Sequence, residues 1–481
     1  MAQPRNGRYN VVVIGAGTAG LVTAVGTASL GGKVALIERD RMGGDCLNVG
    51  CVPSKALISS ARLAQTMREA GRWGLEESAP RFSFEAVFAR MRERRARIAP
   101  NDSRERMESL GIEVIQGDAR FVSAHEVVVG EDRRLRAAHF VIATGSRPAL
   151  PAIAGLDEVP YFTNETIFDD LKTRPESLLV LGGGPIACEL GQAMQRLGVQ
   201  VTLLQRNQRL LAKEDARAGD LVEQALARDG VLVRKGVSVK SAARAGQGVR
   251  LMLADGTVLE ASALLIAAGR QPRIAGLGLE AAGVAATAHG IRVDDHLQTS
   301  QPHIYAAGDV AGPFAFTHFA EYQARVLVRN LVVPARWLRQ KVDYRVMPWC
   351  TYTQPEVARV GLNEDQAKSR AIPYDLFSAG METVDRAVVE SEEAGFIQVL
   401  TARGSDRILG VTLVASHAGD LLQEFVLAMK YGIGLSKIGA TIHPYPTFAL
   451  IARQVAGQYD KQRLTPRLKR VFAWLYRRQL A

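Results

Sequence analysis

The chain has 481 residues, 47% hydrophobic and 23% charged, a balance that excludes one small core and calls for about three or four domains. Four cysteines in that length exclude the disulfide framework of small secreted domains. Sixty Lys plus Arg against 49 Asp plus Glu give a net charge of +11, which favours anionic partners in general and says nothing about fold.

Asn10 to Ile14 is a short, mostly β-branched run. Gly15-Ala16-Gly17-Thr18-Ala19-Gly20 follows at once, and the residues to about Leu30 are small and helix-compatible. This predicts strand, glycine turn and helix. A second strand, Lys33 to Ile37, ends in Glu38, 18 positions after Gly20, where an acid can accept a hydrogen bond from an adenosine ribose. Gly15, Gly17 and Gly20 would let a pyrophosphate reach the helix N-terminus, where free amides and the helix dipole favour an anion. Val11 to Gly32 carries no charge, but six glycines and the βαβ continuation argue against a membrane span. The window also lacks the basic start and cleavage site of a secretory signal, so a cytoplasmic location is expected.

Gly43 to Lys55 reads GGDCLNVGCVPSK and sets Cys46 and Cys51 five positions apart, a spacing at which two thiols can close a small ring. Zinc would need four ligands, and Cys188 and Cys350 are isolated far along the chain, so no metal site is expected. Inert packing and redox chemistry remain, with redox chemistry favoured by the small number of cysteines. Pro53 marks a helix start, so the helix dipole and the Lys55 ammonium should stabilise a thiolate at Cys51. The arginine-rich run from Phe88 to Arg106 is expected to be a solvated helix face and not a nucleic-acid grip.

The nucleotide motif recurs. Ser177 to Leu181 is an apolar strand, Gly182-Gly183-Gly184-Pro185-Ile186-Ala187 is a GxGxxA turn, and a helix follows from Cys188 to about Leu197. Gly182, Gly184 and Ala187 would hold a second dinucleotide. Its partner strand, Val199 to Leu204, ends in Gln205-Arg206 with no acid, and Arg206 can pair with the 2′-phosphate of NADPH. A solvated Arg206 would leave NADH open. Thr351 to Val360 and Phe396 to Leu400 are strand-like. In the tail, Lys461 to Arg478 interleaves seven Lys or Arg with Leu464, Leu468, Val471, Phe472, Trp474, Leu475 and Tyr476. That is the pattern of a basic amphipathic helix, suited to peripheral membrane contact, a solvated surface or a dimer element.

GGDCLNVGCVPSK, ATGSRP at Ala143 to Pro148, GGGPIACE at Gly182 to Glu189, AAGR at Ala267 to Arg270, IYAAGDV at Ile304 to Val310 and YTQPEVARVG at Tyr352 to Gly361 together span nearly the whole chain. Through them it resembles the flavoprotein disulfide reductases, the class I pyridine nucleotide-disulfide oxidoreductases. The likeness is strongest to mercuric-reductase-like members and next to dihydrolipoyl dehydrogenase. The resemblance implies an α/β fold with two Rossmann-like dinucleotide-binding domains and an α+β C-terminal dimerisation domain, in a homodimer. The boundaries expected are 1–150 for the first FAD-binding part, 151–275 for the NAD(P)-binding domain, 276–345 for the return segment of the FAD domain, and 346–481 for the dimerisation domain with its basic tail. FAD would occupy the first site and NADPH or NADH the second. Glu38 would hold the FAD ribose, Thr144 and Gly145 would line the chain crossing back near the cofactor, and Gly269, Gly308 and Asp309 would complete the cofactor sites. By resemblance Cys51 lies against the flavin, Cys46 exchanges with substrate as its partner in a redox disulfide, and Lys55 lies beside the flavin ring and pairs with Glu189.

The acceptor follows less directly from the resemblance. In dihydrolipoyl dehydrogenase and glutathione reductase, a histidine and a glutamate near the C-terminus of the other subunit form an acid–base dyad. Here the stretch Thr441 to Leu450 sets Tyr445 at the histidine position and Leu450 at the glutamate position. A tyrosine with its ordinary pKa near 10 is a poor base at neutral pH, and His443 is expected to be structural. Mercuric reductase shares the tyrosine but carries a C-terminal vicinal cysteine pair, where this chain reads Arg477-Arg478-Gln479-Leu480-Ala481. The expected activity is therefore electron transfer from NAD(P)H through FAD and Cys46–Cys51 to a small disulfide or a metal ion. The alternatives are dihydrolipoyl dehydrogenase, a transhydrogenase or diaphorase that does not use the cysteines, and a membrane-surface flavoprotein with little turnover.

Overall fold

The computed structural model describes residues 8–480 and forms two compact units. The first holds residues 8–63, 81–206 and 237–343, and the second holds 64–80, 207–236 and 344–480.

In the first unit β1 (Arg8–Ile14) is continuously buried from Val11 onward, as a strand covered on both faces must be. It leads through the glycine turn into α1 (Thr18–Ser29) and then β2 (Val34–Glu38). Next come α2 (Gly44–Asn48), which carries Cys46, and α3 (Cys51–Arg68), which has Cys51 as its first residue. α4 (Phe84–Ile98) precedes β3 (Glu113–Gln116) and β4 (Arg133–Ile142). The strands β3, β2, β1 and β4 lie side by side in parallel, with Val12 opposite Ala35 on one side and Phe140 on the other. Val12, Phe140 and Ile142 are fully buried, each worth about 1.5–3 kcal/mol of apolar burial.

A second parallel set consists of β5 (Ser177–Leu181), α5 (Pro185–Arg196), β6 (Gln200–Gln205) and β7 (Ala263–Ile266), with β5 between β6 and β7. The chain then returns to the first sheet. β8 (Ile304–Ala306) pairs in parallel with β4, Ile304 opposite Phe140, and α6 (Thr317–Val332) follows.

The second unit is built on an antiparallel sheet of β9 (Pro348–Thr351), β10 (Glu356–Gly361), β11 (Tyr374–Gly380), β12 (Phe396–Ala402) and β13 (Ile408–Ala415), in the order β9-β10-β13-β12-β11. α7 (Leu450–Arg463) buries Ile451, Ala452, Val455 and Ala456 in its core, and α8 (Pro466–Arg478) follows. The α/β class with an α+β C-terminal part is as expected. Two local expectations change. Thr351 to Val360 is not one continuous strand: Thr351 ends β9, residues 352–355 make the turn, where Pro355 has no N–H to give a ladder, and Glu356 to Val360 are strand in β10. The arginine-rich helix is not simply solvated. It breaks at the 3₁₀ turn Ala99–Asp102, where Pro100 cannot continue the ladder, and several of its arginines bind within the unit. Among the described residues no helix is long and apolar enough to cross a membrane.

Candidate active site

The two glycine turns have the same construction. Gly15 and Gly182 have φ of +104° and +130°, and a Cβ would lie 2.4 Å from the Ala143 oxygen in one and 2.3 Å from the Ala267 oxygen in the other. Glycine is forced there by the chain's own backbone. Gly17 and Gly184 differ in kind. Each is the N-cap of its helix with ordinary φ (−79° and −84°) and no capping side chain. A Cβ would meet nothing nearer than 3.8 Å at Gly17 and nothing within 4 Å at Gly184. Protein packing does not demand glycine at these two positions, so what the missing Cβ preserves is space in front of a helix N-terminus. At the third position a Cβ on Gly20 would lie 1.8 Å from the Gly15 oxygen, whereas Ala187 fits, fully buried, in the second turn.

Glu38 is buried at the end of β2. Its two oxygens accept the Ala16 N–H at 2.7 Å and the Asp40 N–H at 2.8 Å, which braces the first turn and leaves each oxygen a further lone pair. Arg206 is exposed just past β6.

Cys46 and Cys51 are unbridged thiols in this structure, so the expected disulfide corresponds to the oxidised form of the pair. Their side chains share a hydrogen bond, and the Cys51 sulfur lies 3.3 Å from the Thr317 hydroxyl at the start of α6. The hydrogen bond from Cys46 is the main cause holding the Cys51 pKa down to about 6, with help from Thr317 and the Lys55 ammonium against the cost of burial. Cys46 is pushed far the other way, first by its bond to Cys51, then by burial and by the charges of Cys51 and Asp102. The pair is thus polarised into one thiolate and one thiol. Lys55 Nζ lies 2.8 Å from Glu189, whose carboxylate is buried on α5, so residues 134 positions apart meet as expected.

The residues of the returning chain also converge. Asp309 accepts the Ser146 hydroxyl at 2.6 Å, and Arg270 Nε donates to that same hydroxyl at 2.7 Å and lies 3.7 Å from Asp309. Arg270 also pairs with Asp45, next to Cys46. Burial pushes the Asp309 carboxyl above its usual range, opposed by Ser146 and Arg270. Thr144 donates to the Arg273 carbonyl at 2.7 Å, the Gly145 carbonyl accepts the Arg273 N–H at 2.9 Å, and Gly145, Gly269 and Gly308 all have positive φ. The Gly308 N–H donates to Gln323, which is fully buried with its amide nitrogen unpartnered among the described residues. Sequence reasoning did not assign site roles to Thr317, Ser146, Arg270, Asp45 or Arg95. Arg95 holds the end of the Cys46 helix by donating to the Asn48 carbonyl at 2.9 Å while gripping Asp169 at 2.7 and 3.1 Å. Ser146 lies in the ATGSRP motif and Arg270 in the AAGR motif, which is the sequence signal for both.

The sequence model of the pyridine nucleotide-disulphide oxidoreductases matches residues 9–324, and that of their dimerisation domain matches residues 347–454. The chain belongs to the pyridine nucleotide-disulphide oxidoreductase family. It is 34% identical over 457 residues to the mercuric reductase of Lysinibacillus sphaericus, covering 94% of this chain and 83% of the relative. It is 32% identical over 448 residues to the dihydrolipoyl dehydrogenase of Chlamydia muridarum, covering 92% and 95%. Among solved structures it is similar to the Cu(II) complex of the HOCl-induced flavoprotein disulfide reductase RclA from Escherichia coli, with a TM-score of 0.84, 26% identity, and coverage of 94% of this chain and 99% of that one.

As a member of this family the protein is an FAD-dependent NAD(P)H oxidoreductase of the disulfide reductase type, and its dimerisation domain supports a homodimer. The residues present fit both cofactors: two helix N-termini are kept open by Gly17 and Gly184, Glu38 has spare acceptor capacity, and the buried Gln323 amide nitrogen has no partner among the described residues.

In the second unit the Tyr445 hydroxyl donates to Asp385 at 2.9 Å, a bond that raises its pKa above the ordinary tyrosine value. The His443 ring has Nδ1 3.0 Å from the Thr441 carbonyl oxygen and Nε2 3.1 Å from Glu424, so both nitrogens already face acceptors. Leu450 packs on the unit's core.

Proposed function

We propose that this oxidoreductase delivers electron pairs from NADPH to a thiophilic divalent metal ion captured by Cys46 and Cys51. The polarised dithiol carries the reading: one thiolate is held ready at the N-terminus of α3 and one thiol beside it on α2. FAD, when bound, supplies hydride acceptance from the nicotinamide and a two-electron link to the thiols. Gly15, Gly17, Gly20 and Glu38 would hold that cofactor, and Gly182, Gly184, Ala187 and Arg206 would hold NADPH. Thr317 and Lys55 stabilise the Cys51 thiolate, and Glu189 fixes the Lys55 ammonium. Cys46 loses its proton as it joins Cys51 on the metal ion, since the thiolate is the ligating form.

Proton balance favours a metal ion over a disulfide. Reduction of a divalent ion to the zero-valent metal by NADPH yields NADP⁺ and one proton. Reduction of a disulfide to two thiols by NADPH consumes a proton and needs an acid at the leaving thiolate. Neither dyad position carries a ready acid: the Tyr445 hydroxyl is tied to Asp385, which raises its pKa further above neutral, and Leu450 has no ionisable group. The likeness to mercuric reductases points the same way. NADPH oxidation by the FAD-loaded protein should be fastest with mercuric ion, slow with lipoamide and glutathione disulfide, and lost with mercuric ion in Cys46→Ser. Lipoamide turnover as fast as flavin reduction would support the dihydrolipoyl dehydrogenase reading instead. Quinone turnover unaffected by Cys46→Ser would support a diaphorase.

A further inference from the structure

α8 carries a surface that neither the active site nor the second unit's core uses. Thr465 caps it by accepting the Leu468 N–H at 3.3 Å, and Pro466 occupies its first turn, so its start is set locally and not by packing. Every residue from 461 to 480 is exposed. Leu468, Val471, Phe472 and Leu475 recur at the i, i+3, i+4, i+7 spacing of one helix face, with exposures of 37, 50, 43 and 44%. Arg467, Lys469, Arg470, Arg477 and Arg478 occupy the remaining sector, and the Arg478 guanidinium lies 4.5 Å from the Trp474 ring centre. The match to the family's dimerisation domain ends at residue 454, inside α7, so α8 lies outside it.

Charge selects the occupant of this face. Residues 461–480 hold seven Lys or Arg and no Asp or Glu. A symmetric contact with a second copy would set those cations against themselves, whereas a layer of anionic headgroups over acyl chains satisfies the basic sector and the apolar stripe together. We propose that α8 is an interfacial helix that seats the enzyme on an anionic lipid bilayer. The apolar stripe enters the headgroup–acyl boundary and the flanking cations meet lipid phosphates, with Trp474 and Tyr476 at headgroup level.

The test is sedimentation of the FAD-loaded full chain with vesicles of phosphatidylcholine alone or of phosphatidylcholine mixed with phosphatidylglycerol. Partition onto the anionic vesicles should be at least about tenfold stronger and should fall as salt shortens the screening length below about 10 Å. Phe472→Glu with Leu475→Glu should abolish it, while light scattering still reports the dimer and NADPH oxidation is unchanged. The proposal is overturned if the unaltered protein stays in solution with anionic vesicles at low salt, or if the double variant still sediments with them. It is equally overturned if the double variant dissociates the dimer, which would assign the stripe to a second copy.

Discussion

Cys51 and Cys46 are chemically alike and differ only in what faces them. Cys51 begins a helix with Thr317 and Lys55 beside it, while Cys46 faces the Cys51 charge and Asp102. An acid whose pKa is lowered by folding contributes stability above its unfolded pKa and loses it as pH falls through the folded value, here about 6. Thiolate absorbance of the reduced protein should therefore show one thiol titrating near pH 6. That step should vanish in Cys51→Ser and move upward in Thr317→Val, and an unmoved step in Thr317→Val would remove the hydroxyl from the argument. Arg206 is exposed and free to reach a 2′-phosphate, so Arg206→Ala should raise KM for NADPH over that for NADH by about 1.5–3 kcal/mol, roughly ten- to 150-fold. Equal changes for both cofactors would refute the pairing. Restoring the dyad with Tyr445→His and Leu450→Glu together should raise lipoamide turnover roughly 100- to 10,000-fold while hydride transfer from NADPH stays the same. A histidine without its carboxylate can settle in the wrong tautomer, which is why the single change is the weaker test.

At the scale of elements, the first glycine turn separates fold from binding. Gly20→Ala drives a Cβ to 1.8 Å from the Gly15 carbonyl oxygen and should unfold the β1–α1 unit. Gly17→Ala meets no protein atom nearer than 3.8 Å, so the apoprotein should keep its melting temperature and fail to retain FAD. Loss of stability without loss of FAD in Gly17→Ala would show that the space in front of α1 serves packing. The helix that carries Cys46 has only five residues, too short to hold itself, and Arg95 clamps its last carbonyl while Asp169 holds Arg95. Periodicity assigned the arginine-rich run to a helix but could not say which arginines turn inward, since Asp169 lies 74 positions away.

At the scale of the whole chain, residues 207–236 belong with the C-terminal sheet, although they fall inside the stretch 151–275 that the sequence assigns to the nicotinamide domain. A buried cation explains the attachment. Arg359 on β10 is 2% exposed, stacks 4.2 Å from the Trp349 ring centre, donates to the Lys213 carbonyl at 2.7 Å and lies 3.5 Å from Glu214, to which Trp349 donates at 2.8 Å. Burial raises the Glu214 pKa and lowers that of Arg359, so each depends on the other's charge. Arg359→Met should cost about 3–5 kcal/mol in thermal or denaturant unfolding, and adding Glu214→Gln should recover much of it. If the double variant loses as much as the sum of the two single changes, the pair is not coupled.

Consecutive residues were enough to establish two strand–glycine–helix units, the thiol pair with its helix start and the basic amphipathic tail. Each of these rests on local periodicity or turn chemistry, which the chain carries in neighbouring positions. Tertiary structure alone decided that Thr317 stands against Cys51 from 266 positions away, that Arg270 joins Asp45 to the Asp309 cluster, that Arg95 anchors the Cys46 helix, and that Gly17 and Gly184 guard empty space while Gly15 and Gly182 answer to the backbone. Those outcomes depend on which distant side chains the parallel sheets bring within hydrogen-bonding range, and a distance of about 3 Å between remote residues leaves no periodic trace in the sequence.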